Sequence, residues 1–198
     1  TLEIANSRSQ LNGGIYNVSS GATLLWSSTI TCSGTLTGNI AGTLDWSANV
    51  VVPAAATFNF TGPSGVSWNS GSLTGAGVLN NSSTINLLSD ANKSIGAGMT
   101  LNNASIVNIK SAGILYLTNS TFNNLLAGTL NLMATAGNVS YISSTTELLN
   151  NLGTIKRSVA VGLVTILATM KNSGTINVTS GILEIADSQS QFNGGTYN

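Results

Sequence analysis

The sequence contains few charged residues. Only 6 Lys or Arg and 6 Asp or Glu occur among 198 residues, so 6% of the chain is charged and the formal net charge is zero. A typical soluble domain is about 25% charged. Clustered cations are needed to bind a phosphate backbone or an anionic membrane surface, and the one adjacent pair is Lys156 with Arg157. We therefore do not expect nucleic acid as a partner.

The sequence also lacks histidine and has a single cysteine, Cys32. A disulfide within the chain needs two cysteines, and protein zinc sites are usually built from several Cys and His side chains. We therefore expect no internal disulfide, no metal site and no cofactor. Cys32 is expected to be a small buried apolar residue.

Long apolar runs are missing as well. The longest nearly uncharged apolar stretch, residues 159–170, is about half of the ~20 residues that a membrane-spanning helix needs. No signal-peptide pattern opens the chain, and Thr1 stands where a complete chain would begin with Met. We expect no membrane-spanning segment and interpret the chain as a processed or excised piece.

Gly, Ser, Thr and Asn take the place of the missing charged residues. Ser, Thr and Asn compete for backbone hydrogen bonds, and Gly costs about 1 kcal/mol at each helical site, so this composition disfavours helices. Thr, Val and Ile suit strands instead. With 42% hydrophobic residues, the chain can bury one continuous core. The sequence therefore predicts an all-β protein.

The end of the chain repeats its beginning. Residues 2–17 (LEIANSRSQLNGGIYN) and residues 183–198 (LEIADSQSQFNGGTYN) are identical at 12 of 16 positions, at an offset of 181 (183 minus 2). A match of this length without a gap indicates a tandem repeat. We therefore interpret residues 1–181 as one repeat unit and residues 182–198 as the start of the next unit.

A shorter repeat lies inside this unit, and it becomes visible when strand-like motifs are aligned on their last apolar residue. We call these residues the anchors; they are Ile4, Trp26, Trp46, Trp68, Leu87, Ile109, Leu132, Arg157 and Ile185, spaced by 19 to 28 residues. The residue two positions before each anchor is apolar, from Leu2 to Leu183. Arg157 puts a charge in this column, which indicates a bulge or a shifted register there.

Strand-like motifs also recur seven or eight residues apart, as in Gly34-Thr-Leu and Gly42-Thr-Leu. Each repeat of about 22 residues therefore holds about three short strands. The sequence predicts a β-solenoid (β-helix) of about eight coils per 181-residue unit, where a coil is one turn of the chain around the axis. Eight coils at the interstrand spacing of about 4.8 Å span about 38 Å.

The acidic residues do not form a recognisable catalytic pattern. They are Glu3, Asp45, Asp90, Glu147, Glu184 and Asp187, and most are placed in different coils. Glycosidases need two carboxyl groups within about 5 to 9.5 Å. The fragments Gly75-Ala-Gly77 and Gly96-Ala-Gly98 lack the Lys and Ser of a phosphate loop, and they are interpreted as turn glycines. We expect no enzyme, and no catalytic, cofactor-binding or metal-binding residues.

Three tryptophans, Trp26, Trp46 and Trp68, recur 20 and 22 residues apart. Such a stack of aromatic rings could bind sugars if it were exposed. Alternation along the strand instead places Trp46 on the same side as Leu44 and Trp68 on the same side as Val66. We therefore predict a core stack and keep glycan binding as an alternative.

A column of threonines precedes the anchors by three positions, comprising Thr1, Thr23, Thr43, Thr84, Thr129 and Thr154. A flat threonine column is the surface that ice-binding solenoids use, so ice binding is a third alternative. The neighbouring column carries Asn86, Asn108 and Asn131, with Leu25, Asp45 and Lys156 as interruptions. We expect these asparagines to stack and to hydrogen-bond along the column.

Several windows resemble the strand-turn repeats of large bacterial surface proteins. They are residues 122–132, 149–155 and 170–178, which contain FNNLLAGTLNL, LNNLGTI and MKNSGTINV. The families are filamentous-haemagglutinin-type and giant repeat adhesins. The resemblance implies a secreted stalk or filament at the cell surface, and it carries over no catalytic residues.

The sequence thus leads to one main functional expectation and two alternatives. The main expectation is a structural or adhesive repeat of a long extracellular fibre or surface adhesin. Its partners would be adjacent identical units stacked end to end, together with surfaces, cells or glycans. A glycan-binding adhesin module is the alternative, and an ice-binding solenoid is the third.

Overall fold

The computed structural model describes residues 1–135, 137–141 and 147–198, with the backbone alone for residues 137–141. The strands of these residues are, in chain order, β1 Leu2–Ile4, β2 Ser9–Ile15, β3 Thr23–Trp26, β4 Ile30–Asn39, β5 Thr43–Ser47, β6 Val50–Val51, β7 Thr57–Thr61, β8 Val66–Thr74, β9 Val78–Ser82, β10 Thr84–Leu87, β11 Lys93–Gly96, β12 Thr100–Asn103, β13 Ile106–Ile109, β14 Leu115–Thr118, β15 Thr121–Asn124, β16 Thr129–Leu132, β17 Gly137–Tyr141, β18 Leu148–Asn151, β19 Thr154–Ile166, β20 Met170–Asn172, β21 Thr175–Ile185, β22 Gln191–Phe192 and β23 Thr196–Tyr197. None of these residues belongs to a helix, so no helix among them is long and apolar enough to cross a membrane.

Every strand pairing is parallel, and each strand pairs with strands about one coil away. The pairings arrange the strands on three faces that the chain visits in order. Face 1 holds β1, β3, β5, β10, β13, β16, β23 and the first parts of β8, β19 and β21. Face 2 holds β6, β11, β14, β17, the first parts of β2 and β4, and the last parts of β8, β19 and β21. Face 3 holds β7, β9, β12, β15, β18, β20, β22 and the last parts of β2 and β4.

This arrangement confirms the predicted all-β solenoid of about eight coils with three strands per coil. The predicted register is also confirmed from Ile4 to Arg157, because the pairings run through Trp26, Trp46, Trp68, Leu87, Ile109 and Leu132 in turn.

The last predicted anchor, Ile185, is wrong. Arg157 pairs with Val178, and Ile185 lies on the next face, where it pairs with Ile166. The column that precedes the anchors by two residues therefore continues from Ile155 to Ile176 and not to Leu183. Instead, residues 174–178 form the next strand of face 1, with Val178 about one coil length after Arg157.

The core is a continuous apolar column enclosed by the three faces. Alternation along each strand turns every second side chain inward, as in β5, where Leu44 and Trp46 are fully buried. The predicted tryptophan stack is confirmed: the rings of Trp26 and Trp46 lie 5.5 Å apart and nearly parallel, and Trp68 meets Trp46 edge-on at 6.1 Å. The predicted burial of Cys32 is also confirmed, and its thiol is free.

Glycines turn the chain where it passes from one face to the next. Gly75 and Gly98 have positive φ, of 105° and 88°, as expected for turn glycines, whereas Gly77 and Gly96 do not. Gly77 is nevertheless confined, because a Cβ there would lie 2.4 Å from a methyl group of Val52 in the preceding coil. The corners therefore select glycine both for its backbone conformation and for close contact between coils.

Candidate functional site: polar ladders, buried cations and open ends

An asparagine ladder lies on the outer side of face 1. Asn108 donates a hydrogen bond to Asn86 over 2.9 Å, and Asn131 donates to Asn108 over 2.8 Å. This confirms the predicted stacking of these three residues. The ladder ends at Lys156, which occupies the next position of the column.

Face 3 carries two further asparagine ladders, one on each side of its sheet. The outer ladder joins Asn59, Asn80, Asn102, Asn123 and Asn150 through amide hydrogen bonds of 2.7 to 3.0 Å. The inner ladder joins Asn81, Asn103, Asn124, Asn151 and Asn172 through hydrogen bonds of 2.6 to 2.8 Å. All five inner residues are buried, so these amides depend on protein partners alone.

The inner ladder also fixes the corner between face 3 and face 1. Besides its bond to Asn151, the amide of Asn124 donates to the carbonyl oxygen of Thr154 over 3.0 Å. Asn81 and Asn103 make the equivalent bonds to Ile106 and Thr129. These three amides therefore stabilise the coil stacking twice, once through the neighbour in the ladder and once through the backbone of the following coil.

The inner ladder was not predicted, although the sequence contains a signal for it. The dipeptide Asn-Asn recurs at residues 80–81, 102–103, 123–124 and 150–151, and alternation must turn one residue of each pair inward. Buried asparagine is uncommon in general. Recurrence at the coil spacing, rather than any single position, identifies the ladder.

Arg157 is buried in the core column, where its guanidinium group binds four carbonyl oxygens. It donates to Leu132 and Ala134 of the preceding coil at 2.9 and 2.7 Å, and to Val161 and Gly162 at 2.7 and 3.1 Å. The register of β19 shifts between Arg157 and Leu163, so the chain does bulge here, as the sequence indicated. Burial lowers the pKa of the guanidinium group, and the carbonyl oxygens of the bulge stabilise its charge.

Lys93 is a second buried cation. Its ammonium group donates to the carbonyl oxygens of Ser89 and Ala91. Burial lowers the pKa of Lys93, and the nearby Asp90 carboxylate partly offsets this. Lys93 therefore binds carbonyl oxygens of its own corner loop, whereas Arg157 binds those of its own bulge and of the preceding coil. Both side chains are buried, so their charged groups face the protein and not solvent.

The carboxylates are dispersed, and most of them bind neighbouring coils or turns. Asp45 accepts hydrogen bonds from Ser47 and Asn69, and Asp90 accepts one from the backbone of Ala112. Glu184 accepts a hydrogen bond from Thr165 over 3.0 Å. Over the described residues, no three His, Cys, Asp or Glu side chains come close enough to hold a metal ion.

The threonine column on face 1 is present but interrupted. Thr23 pairs with Thr43, and Thr129 pairs with Thr154. Thr84, however, is followed in the column by Ile106, whose side chain is exposed. The column is therefore broken at Ile106, and its longest unbroken part runs over Thr129, Thr154, Thr175 and Thr196.

The two ends of the solenoid are open. Among the described residues, β1 pairs only with β3 and β23 only with β21, so each has one unpaired edge. Leu2 and Ile15 in the first coil are 67% and 75% exposed. A mostly apolar groove of about 380 Å³ lies beside them. An open strand edge next to exposed apolar side chains is a surface suited to a further coil.

No protein-family model matches the chain, and neither a curated protein nor a solved structure matches it.

Proposed function

We propose that the chain is a structural repeat of a long extracellular fibre or cell-surface adhesin, in which identical units stack end to end into a stiff rod. One observation carries the proposal. The last coil is built from nearly the same sequence as the first coil, and both coils have an unpaired edge facing along the axis.

The packing supports the same proposal. Each coil binds the next through parallel backbone hydrogen bonds on three faces and through the asparagine ladders. Stability of this kind grows with each added coil, because every coil contacts only its neighbours. No linker is needed between units, since a following unit can continue the apolar core and the backbone pairing.

A chain of two units tests the proposal. Residues 1–181 would be followed directly by a second copy of residues 1–198, and the product imaged by electron microscopy. A continuous solenoid predicts one rod of roughly 80 Å, from about 17 coils at strand spacing. Two separate bodies joined by a thread would contradict the fibre.

Adhesion to glycans is the second function that we propose, and the outer asparagine ladders favour it. They present half-buried amide groups in regular rows on face 1 and face 3, and amides are common donors and acceptors to polar ligands. A glycan array probed with the two-unit chain tests this directly. Loss of binding in Asn102→Ala would identify face 3, whereas an array without hits would remove this function and leave the fibre untouched.

A further inference from the structure

The first and last copies of the repeated segment have the same local structure. In the first copy, the backbone of Arg8 donates to the side chain of Asn6 over 2.9 Å, and in the last copy Gln189 donates to Asp187 over 2.8 Å. Each of these pairs lies 181 residues from its counterpart. The turn that follows the first strand is therefore the same in both copies.

The second turn of the segment is also shared. Tyr16 donates its hydroxyl group to the carbonyl oxygen of Gly13 over 3.2 Å, and Tyr197 donates to Gly194 over 2.9 Å. The glycine pairs 13–14 and 194–195 all have positive φ. Both copies thus make the same turns, and their strands overlap when the two copies are aligned.

The two coils nevertheless occupy different faces. In the first copy, residues 2–4 lie on face 1 and pair with residues 24–26. In the last copy, the matching residues 183–185 lie on face 2 and pair with residues 164–166. The other strands follow the same shift, since Leu11 is on face 2 and its counterpart Phe192 is on face 3. One repeat therefore advances the chain by one face more than a whole number of coils.

Counting the pairings gives the size of this advance. Eight successive pairings on face 1 connect Leu2 with Ile176, and one further face leads to Leu183, the counterpart of Leu2. The repeat of 181 residues is thus eight and one third coils. An unrotated junction would need Leu183 to lie on Ile155, but Ile176 already occupies that position.

We propose that successive units of the fibre are related by a screw rotation of one face, about 120°, so that the partner at each open end is a second copy turned by one face. This inference rests on the proposed function. In the junction, the strand of residues 2–4 would pair with residues 164–166 of the preceding unit, and that unit would cover the apolar groove at Leu2 and Ile15. Three units make 25 coils, about 120 Å at strand spacing.

The rotation has a consequence for recognition along the fibre. Every surface feature of one face, such as the ladder of Asn86, Asn108 and Asn131, recurs on each of the three sides in turn. The rod therefore presents the same chemistry in all three directions, at intervals of one unit along the axis. A flat partner on one side of the rod would meet a given ladder once in every three units.

Cross-linking in the two-unit chain tests the rotation. All variants carry Cys32→Ala in both copies, and thiols are joined with dibromobimane, whose product fluoresces when two thiols are linked. The rotated junction pairs Thr165→Cys of the first copy with Glu3→Cys of the second copy, as Thr165 pairs with Glu184 in the chain itself. The unrotated junction pairs Lys156→Cys with the same Glu3→Cys. Asn131→Cys with Lys156→Cys, neighbours in the known register, is the positive control.

We expect the Thr165–Glu3 pair to link about as fully as the control pair, and the Lys156–Glu3 pair at least ten-fold less. The rotation would be overturned if the product is a rod in which the Lys156–Glu3 pair links, or in which only the control pair links. The proposal of a fibre would not be affected by either result. Two separate bodies without either junction link would overturn both proposals.

Discussion

The inner asparagine ladder gives a sharp prediction at Asn124. Truncation to alanine removes the donors to Asn151 and Thr154 and the acceptor for Asn103. Asn103 keeps its second bond, to Thr129, whereas the oxygens of Asn151 and Thr154 lose a donor in a buried site. A buried group without its partner costs about 1–3 kcal/mol. We expect Asn124→Ala to lower the free energy of unfolding by about 2–4 kcal/mol.

The neighbouring residue in the same strand is the matched control. Asn123 also makes two ladder bonds, of 2.9 Å to Asn102 and 3.0 Å to Asn150, but it lies on the outer side, where water can replace them. Asn123→Ala should therefore cost less than about 1 kcal/mol. Both variants remove an asparagine and its two ladder bonds, and they differ in burial and in the additional bond from Asn124 to Thr154.

Urea unfolding followed by far-ultraviolet circular dichroism measures both variants. Tryptophan fluorescence in the same titration reports on Trp26, Trp46 and Trp68 in the early coils, and it shows whether the distant coils unfold together. A difference of less than about 1 kcal/mol between Asn124→Ala and Asn123→Ala would refute the reasoning, because burial would then not determine the contribution of a ladder amide.

Three further predictions concern the corners and the core. Gly65→Ala would place a Cβ 1.8 Å from the Thr84 carbonyl oxygen at a φ of 74°, and we expect the free energy of unfolding to fall by at least about 3 kcal/mol. Gly21→Ala is the control, because Gly21 has a φ of 77° but no atom near the added Cβ, and it should cost about 1 kcal/mol. Equal losses in urea titrations would contradict the role of the close contact. Arg157→Met removes the guanidinium donors to four carbonyl oxygens, and we expect a loss of about 2–4 kcal/mol in unfolding free energy, against less than about 0.5 kcal/mol for Lys156→Met at an exposed site. Thermal melts in which the two variants lose equal stability would show that the bulge does not need the guanidinium group. Burial raises the pKa of the Cys32 thiol from 9.0 to about 12, so as the pH rises the thiol deprotonates in the unfolded state before it does so in the folded state. Between pH 8 and 10 the unfolding free energy should therefore fall by about 1.4 kcal/mol more than in Cys32→Ala. Parallel pH profiles of the two proteins would contradict this.

Much of the fold follows from the sequence because the coils are regular. The apolar column and the tryptophan positions identify the inner side of face 1, and the spacing of Leu44, Val66 and Ile85 gives the register directly. The last predicted anchor is wrong because two similar motifs lie within twelve residues of each other. Both residues 174–178 and residues 181–185 resemble the earlier anchors, and only pairing between coils decides that Val178 lies over Arg157.

The candidate site was less accessible to sequence reasoning. The outer ladder on face 1 was predicted, since its residues share a position relative to the anchors. The inner ladder was missed although the recurring Asn-Asn pairs indicate it. The burial of Lys93 depends on where the chain turns a corner, and corner loops vary in length from coil to coil. Lys93 in particular is buried because the loop of Ser89 and Ala91 folds its carbonyl oxygens around the ammonium group, which no residue spacing specifies.

Because the strands stack in parallel along the axis, each coil holds a large reserve of chain length. The eight pairings from Ile4 to Val178 use about 22 residues per coil, which would extend to about 75 Å if pulled straight. In the folded rod the same residues advance it by about 4.8 Å. Tension applied at the chain ends would peel coils away one at a time, each lengthening the tether roughly fifteen-fold. In the proposed fibre, coils that stay stacked would keep the rod stiff, and only coils that a load has unwound would add to its length.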